Sequence, residues 1–438
     1  MSRRRKLRRS HGGAALTAVL LLGTLFVSPG TAASAACTGS GWVASWAASP
    51  TDALVPVDAS GGPAPTSVTR QTLRMMISPH LGGSTLRIRL TNRFGSSPVT
   101  FGRVTVAKQQ RGAAIGAATP VLFGGKTSVT VPAGSDLVSD ATQFTFAAFD
   151  HLAVSMYVPG RAESVTKHWN ANATSYLTPA LSGDRTAETS GAPFTTRTGS
   201  WLYLGGLDVE APTSTHAVVA FGDSITDGFV GGSPLSIPAD KSVADTDQRY
   251  PDFLQRRLLD AGAPISIVNA GIGSNMLLTD GTPLMLGPSG VKRFGQDALA
   301  HPGVTGVLLL EGINDLGLTR SSAVSLIAGL TTLVDQAHAA GVKVWLGTIL
   351  PASNALIDGT LLAPDSERNR QQVNTWIRQQ DLADGVVDFD LALRDPSNPS
   401  VLRAEYASVD NLHPSPAGYR AMAQTVDLNL LASPGCAA

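Results

Sequence analysis

Ala217-Val218-Val219-Ala220-Phe221, followed without a break by Gly222-Asp223-Ser224-Ile225-Thr226-Asp227-Gly228, decides the architecture of the second half of the chain. Five consecutive apolar residues that run into a Gly/Asp/Ser turn read as a strand buried on both faces. The same pattern recurs at 265–268, 307–310, 342–346 and 386–389. Helical stretches fill the intervals. The clearest is 321–340, where Leu326, Leu330, Leu333 and Ala337 share one face and Gly341 supplies the stop. Alternating strands and helices of this length predict a parallel sheet with helices on both faces. Such sheets bind ligands at the carboxyl ends of their strands, so the residues directly after each run are where chemistry is expected.

Upstream of Ala211-Pro212-Thr213 the period changes. Short alternating segments at 85–90, 99–106, 128–131, 144–146 and 152–158 are separated by turn signals such as Leu81-Gly82-Gly83 and Pro132-Ala133-Gly134. Period two with frequent turns predicts an all-β sandwich over 37–212, ahead of an α/β domain over 213–438. The length of 438 residues agrees with more than one domain, and a charged fraction of 15% with 45 Gly and 27 Pro points to a compact, turn-rich chain.

The formal net charge of zero conceals an asymmetry. Six basic residues (Arg3, Arg4, Arg5, Lys6, Arg8, Arg9) stand in the first nine positions, and no acidic residue precedes Asp52. An apolar run at 14–27 follows, then Ser28-Pro29-Gly30 and small residues at 31–36. This is the layout of a secretory signal, expected to span 1–35 with cleavage after Ala35. A membrane anchor is the competing reading, but the run is shorter than the ~20 residues needed to cross a bilayer. The arginine pairs leave twin-arginine export open. Removal of the six charges leaves 27 basic against 33 acidic residues, a net of −6, which disfavours nucleic acid as a partner. Two cysteines, Cys37 and Cys436, stand at the two ends of the mature chain. In an exported protein they are expected to form a disulfide, a lipidated Cys37 being the rival.

Four tracts follow the predicted strands or close the chain: Gly222-Asp223-Ser224, Asn269-Ala270-Gly271-Ile272-Gly273-Ser274-Asn275, Gly312-Ile313-Asn314-Asp315 and Asp410-Asn411-Leu412-His413. Each alone is ordinary turn chemistry. Together, in this order, they resemble the SGNH (GDSL-type) hydrolase family, over about 215–431. The resemblance implies a flavodoxin-like three-layer fold for the second domain. It also implies Ser224 as nucleophile, His413 as general base and Asp410 as its orienting carboxylate. A serine hydroxyl needs a neutral imidazole to take its proton, and the carboxylate fixes the tautomer of that ring. By the same resemblance the oxyanion donors are the Ser224 N–H, the Asn314 amide and an N–H of the glycine block. The family commonly has glycine five residues after the block's Asn; here Ser274 stands there, with Gly273 as the alternative donor.

The first half, through Trp42 to Trp46 and Leu90-Thr91-Asn92-Arg93-Phe94-Gly95, resembles a β domain that precedes the hydrolase in some secreted actinobacterial GDSL esterases. The implied activity is extracellular carboxylester hydrolysis through an acyl-serine, on small-molecule, lipid or acetylated polysaccharide esters. Carbohydrate acetylesterase activity is the alternative within that class; a carbohydrate-binding protein with a silent hydrolase fold is the alternative outside it. No metal or other cofactor is implied. Gly124-Gly125-Lys126-Thr127 resembles a phosphate loop, but Pro120 occupies the position of the first glycine. No transmembrane anchor is expected, and oligomeric state is not readable.

Overall fold

The computed structural model describes residues 39–281, 286–356, 363 and 365–432. The expected export signal at 1–35 and both cysteines, Cys37 and Cys436, lie outside the described residues. The described residues form one compact unit.

Among the described residues, every regular element before Asp223 is a strand. A five-stranded antiparallel sheet runs Ser40–Ala47, Leu204–Pro212, Gly83–Thr91, Thr142–Phe146, with Asp136–Val138 also paired to Gly83–Thr91. A seven-stranded sheet is built on the long pair Ser67–Ile77 and Leu152–Glu163. The period-two pattern has a direct physical outcome. Leu73, Met75 and Ile77 from the second sheet and Leu86, Ile88 and Leu90 from the first enter one buried cluster.

The predicted strand at 99–106 is in fact two. Val99–Phe101 pairs with Val129–Val131, while Arg103–Arg111 joins the seven-stranded sheet. Gly102 separates them, its N–H donating to the Tyr157 carbonyl at 2.8 Å. The phosphate-loop lookalike is a turn whose Gly124 and Gly125 N–H groups donate to the Asp140 carboxylate at 2.9 and 2.7 Å. Its donors are already engaged.

From His216 the chain becomes α/β. Its parallel strands are β1 (His216–Gly222), β2 (Ile265–Gly271), β3 (Val304–Leu310), β4 (Lys343–Gly347) and β5 (Gly385–Val387), in the order β2-β1-β3-β4-β5. The last is shorter than its apolar run, because Asp388 caps a helix that already begins at Phe389. The predicted helix is Ala323–Ala339, capped by Ser322, with Leu326, Leu330, Leu333 and Ala337 buried. In this strand order the chain leaves β1 toward β2 and leaves β3 in the opposite direction toward β4, so the loops after β1 and β3 part and open a crevice. Ser224 and Asn314 stand at its two sides.

The β-rich region is packed onto the α/β region through polar as well as apolar contacts. Ala44 N–H donates to the Pro302 carbonyl at 2.9 Å. His80 lies between the Ile267 carbonyl and Asp252, and Arg93 bridges Asp136 and Asp297. Among the described residues no helix is long and apolar enough to cross a membrane.

Leu308 lies in the centre of this sheet, fully buried, beside Ala220 of β1 and Trp345 of β4. Leu308→Ala is expected to cost about 2 to 5 kcal/mol, the usual loss for a core truncation. Urea unfolding measures it, and an unchanged midpoint would contradict the packing described.

Candidate active site

The nucleophile turn is shaped by its sequence. Gly222 ends β1 where a Cβ would stand 2.2 Å from the Leu310 carbonyl and from Thr226 Oγ1, so only glycine fits. Asp223 caps the helical turn Ser224–Asp227, its carboxylate accepting from Ile225 N–H at 2.9 Å. Gly228 closes the turn in the left-handed region, at φ 81°. Ser224 is thereby presented from the first position of the turn, with 5% of its surface exposed.

Asp410 and His413 come from one turn near the end of the described chain. Asp410 Oδ1 accepts from Ser408 Oγ–H at 2.7 Å and from the Leu412 and His413 N–H groups at 3.0 Å each. Its Oδ2 faces His413 Nδ1 at 2.6 Å, and His413 Nε2 faces Ser224 Oγ at 2.8 Å. A carboxylate accepts only, so Nδ1 carries the proton and Nε2 is left to accept the serine's. Burial opposes ionisation of Asp410, yet the His413 ring, the His413 N–H and the Ser408 hydroxyl hold its carboxyl well below the usual range. After this turn, Ser415 caps the helix Pro416–Thr425.

The other two tracts meet at the same edge. Asn314 Nδ2 donates to the Asn275 carbonyl at 2.8 Å, which uses one of its two N–H groups and leaves the second for a ligand. Asp315 reaches across to accept from Leu277 and Leu278 N–H at 2.7 and 2.9 Å, clamping the chain that follows the glycine block. Burial pushes its pKa up to about 6. Ser274 has φ 56°, the left-handed conformation that glycine adopts freely and serine rarely does. The backbone geometry expected of glycine is therefore kept although the residue is not. Gly273 lies beneath the Trp169 ring, where a Cβ would come within 3.2 Å of it.

Several residues of this site have no signature in the four tracts. Arg293, 3% exposed, donates to Gly222 O, Ala270 O and Asn275 Oδ1 at 2.8, 2.8 and 2.7 Å, and its guanidinium lies on the Phe221 ring. Glu311 lies 3.6 Å from the same guanidinium, and burial raises its pKa well above the usual value. The Phe229 ring stands 4.6 Å from that of His413, and Trp169 stacks on Phe229. Gly231 passes so close to Asp410 that a Cβ would lie 2.3 Å from Oδ2. Phe229 and Gly231 thus pack against the Asp410–His413 pair. An Arg before a helix end and a Trp in a β-rich region carry no pattern by which sequence alone would find them.

Among the described residues no cluster of His, Cys, Asp or Glu is arranged to hold a metal ion. The arrangement can deprotonate a hydroxyl nucleophile in a dry setting and offers an amide donor beside it.

Residues 220–421 match the GDSL-like Lipase/Acylhydrolase family. No curated protein matches the chain. Similar solved structures include an inhibitor-bound aryl esterase of M. smegmatis, 19% identical over 48% of this chain and 95% of that one, TM-score 0.38. Another is Est24, a carbohydrate acetylesterase from Sinorhizobium meliloti, 16% identical over 48% of this chain and 95% of that one, TM-score 0.36. A third is a GDSL-like lipase from Bacteroides thetaiotaomicron, 19% identical over 49% of this chain and 87% of that one, TM-score 0.35.

The contact at Gly231 makes a sharp expectation. Gly231→Ala should displace the Asp410 carboxylate and lower turnover of a test ester by about 10²-fold, the scale set by a misplacement of about 1 Å. Steady-state kinetics measure it; an undiminished kcat would show that Asp410 tolerates the shift.

Proposed function

We propose that the GDSL-like acylhydrolase domain at residues 220–421 is a serine carboxylester hydrolase, with Ser224 as nucleophile, His413 as general base and Asp410 as the orienting carboxylate. The observation that carries this is the continuous chain Asp410 Oδ2, His413 Nδ1, His413 Nε2, Ser224 Oγ, at 2.6 and 2.8 Å. Both links are of hydrogen-bond length, and no other described feature accounts for a buried hydroxyl aimed at the free nitrogen of an imidazole.

The chemistry follows from the donors and acceptors. Ser224 Oγ attacks the ester carbonyl carbon while its proton passes to His413 Nε2. The imidazolium so formed is stabilised by Asp410, which stays ionised. Negative charge collects on the former carbonyl oxygen, where the second Asn314 N–H, the Ser224 N–H and the Ser274 N–H, with Gly273 as the alternative, receive it. The C–O bond to the alcohol then breaks, and the Nε2 proton goes to the departing oxygen. Water, deprotonated by the same nitrogen, hydrolyses the acyl-serine and restores the starting state. No metal or cofactor enters this scheme.

Export by the segment 1–35, and action outside the cytoplasm with Cys37 joined to Cys436, complete the reading and rest on the sequence.

Hydrolysis of p-nitrophenyl acetate, butyrate and long-chain esters, with acetylated xylan and lysophospholipid alongside, tests the activity and ranks the acyl groups. Ser224→Ala is expected to abolish it, and equal rates in wild type and variant would eliminate the mechanism. Asn314→Ala should lower kcat by about 10²- to 10³-fold with little change in KM, the usual loss of one oxyanion donor.

A further inference from the structure

The nucleophile turn is gripped from behind by a segment of the β-rich region, residues 167–172. His168 Nε2 lies 2.9 Å from Asp227 Oδ1, on the last residue of the turn that begins with Ser224. Asn170 Nδ2 donates to the other oxygen of Asp227 at 3.3 Å. Asn172 Nδ2 donates to Gly228 O at 2.6 Å, and Arg249 donates to Ala171 O. Trp169 stacks on Phe229, whose ring in turn lies on that of His413. Five consecutive residues, 168–172, therefore touch the turn, the ring beside the base, or the Arg249 next to them.

The protonation of His168 follows from its neighbours. Nδ1 faces the Ser49 carbonyl at 2.8 Å, and Nε2 faces both the Asn170 carbonyl at 3.0 Å and Asp227. Carbonyl oxygens only accept, so both ring nitrogens must carry protons for the contacts to be bonds. The ring is an imidazolium, 4% exposed, paired with a buried carboxylate. The groups facing it are Asp227 from the nucleophile turn, Arg249 from the start of the helix Tyr250–Asp260, the two carbonyls, and the Trp201 ring at 5.4 Å.

We propose that His168, as an imidazolium, and Asn170 are positioning residues for the active site, holding Asp227 so that Ser224 stays aligned with His413. This rests on the reading of Ser224 as nucleophile. Loss of a His168 proton leaves a ring-nitrogen lone pair facing an acceptor, the Ser49 carbonyl at Nδ1 or Asp227 and the Asn170 carbonyl at Nε2, and removes the positive charge that pairs with Asp227 and holds the turn to the segment. Burial and Arg249 work against the charge, but Asp227 and the Ser49 carbonyl outweigh them and raise the pKa of His168. The sign is fixed by that direction: the contribution is complete below the ordinary histidine value and is lost as pH rises through the raised one. Hydrolysis therefore has an alkaline limit set outside the α/β region.

The test measures kcat and KM for p-nitrophenyl acetate against pH in full-length wild type, His168→Gln, Asp227→Asn and the double variant. Expected are a fall in kcat of about tenfold or more in each single variant with KM nearly constant, and a double variant no worse than the poorer single. The alkaline fall of the wild type should be missing in His168→Gln. Unchanged kcat in His168→Gln, with the alkaline limb retained, overturns the proposal. If the variants do not fold, wild-type protein with nitrogen-15 histidine decides. A His168 ring that keeps both N–H protons at neutral pH and loses one in step with the alkaline fall supports the proposal, and one that is neutral at pH 7 overturns it. Wild type with no Ser224-dependent hydrolysis would overturn the esterase reading instead, while the nitrogen-15 titration would still decide the state of His168.

Discussion

The Arg293 guanidinium is bonded to three backbone or side-chain oxygens that belong to two neighbouring strand ends, and the rest of the site is arranged around that fact. Gly222 O precedes the nucleophile, while Ala270 O and Asn275 Oδ1 flank the glycine block. A planar cation with five donors suits such a task, because one rigid group fixes several acceptors at once. Its charge is met by Asp297 and faces Glu311, both buried. Acidic groups accumulate around it. Asp223 and Glu311 are both pushed upward by burial; the Asp223 carboxylate adds to the rise at Glu311, and Asp315 adds to the rise at both. A neutral Glu311 avoids a second desolvated anion under the nucleophile turn.

The parallel sheet supplies what this cation cannot, namely distance in sequence turned into closeness in space. Ser224 and His413 are 189 residues apart, and Asn314 and Asn275 are 39 apart. Strand order brings the ends of β1, β2 and β3 side by side, and the helix Pro416–Thr425 carries the His413 turn to the same edge. Tyr419 of that helix donates to the Phe229 carbonyl at 2.6 Å, joining the two ends of the α/β region directly.

How much of this was legible in the sequence depended on whether the signal was local. Apolar runs fixed where the parallel strands lie, and the polar tracts that follow them or close the chain marked Ser224, Asn314, Asp410 and His413. Ser274 was readable as a departure and not as a conformation, since a left-handed φ at serine is imposed by neighbours. The division of 99–106 into two strands escaped although the apolar positions change phase at Gly102, from Val99 and Phe101 to Val104 and Val106, because a one-residue shift also fits a bulge within one strand. Residues 167–172 and Arg293 escaped for another reason. Their function consists of contacts to backbone oxygens and side chains far away in sequence, 59 residues for His168 and Asp227, and a hydrogen bond to a carbonyl leaves no preference for residue type at its other end.

The 189-residue interval between the hydroxyl and the imidazole also orders events during synthesis. A ribosome that has released the β-rich region and the Ser224 turn has made a hydroxyl with nothing to deprotonate it. The ring arrives only when nearly the whole described chain has been translated. Under the function proposed, an incomplete polypeptide therefore has no reactivity toward esters, and that reactivity begins only when both members of the pair exist.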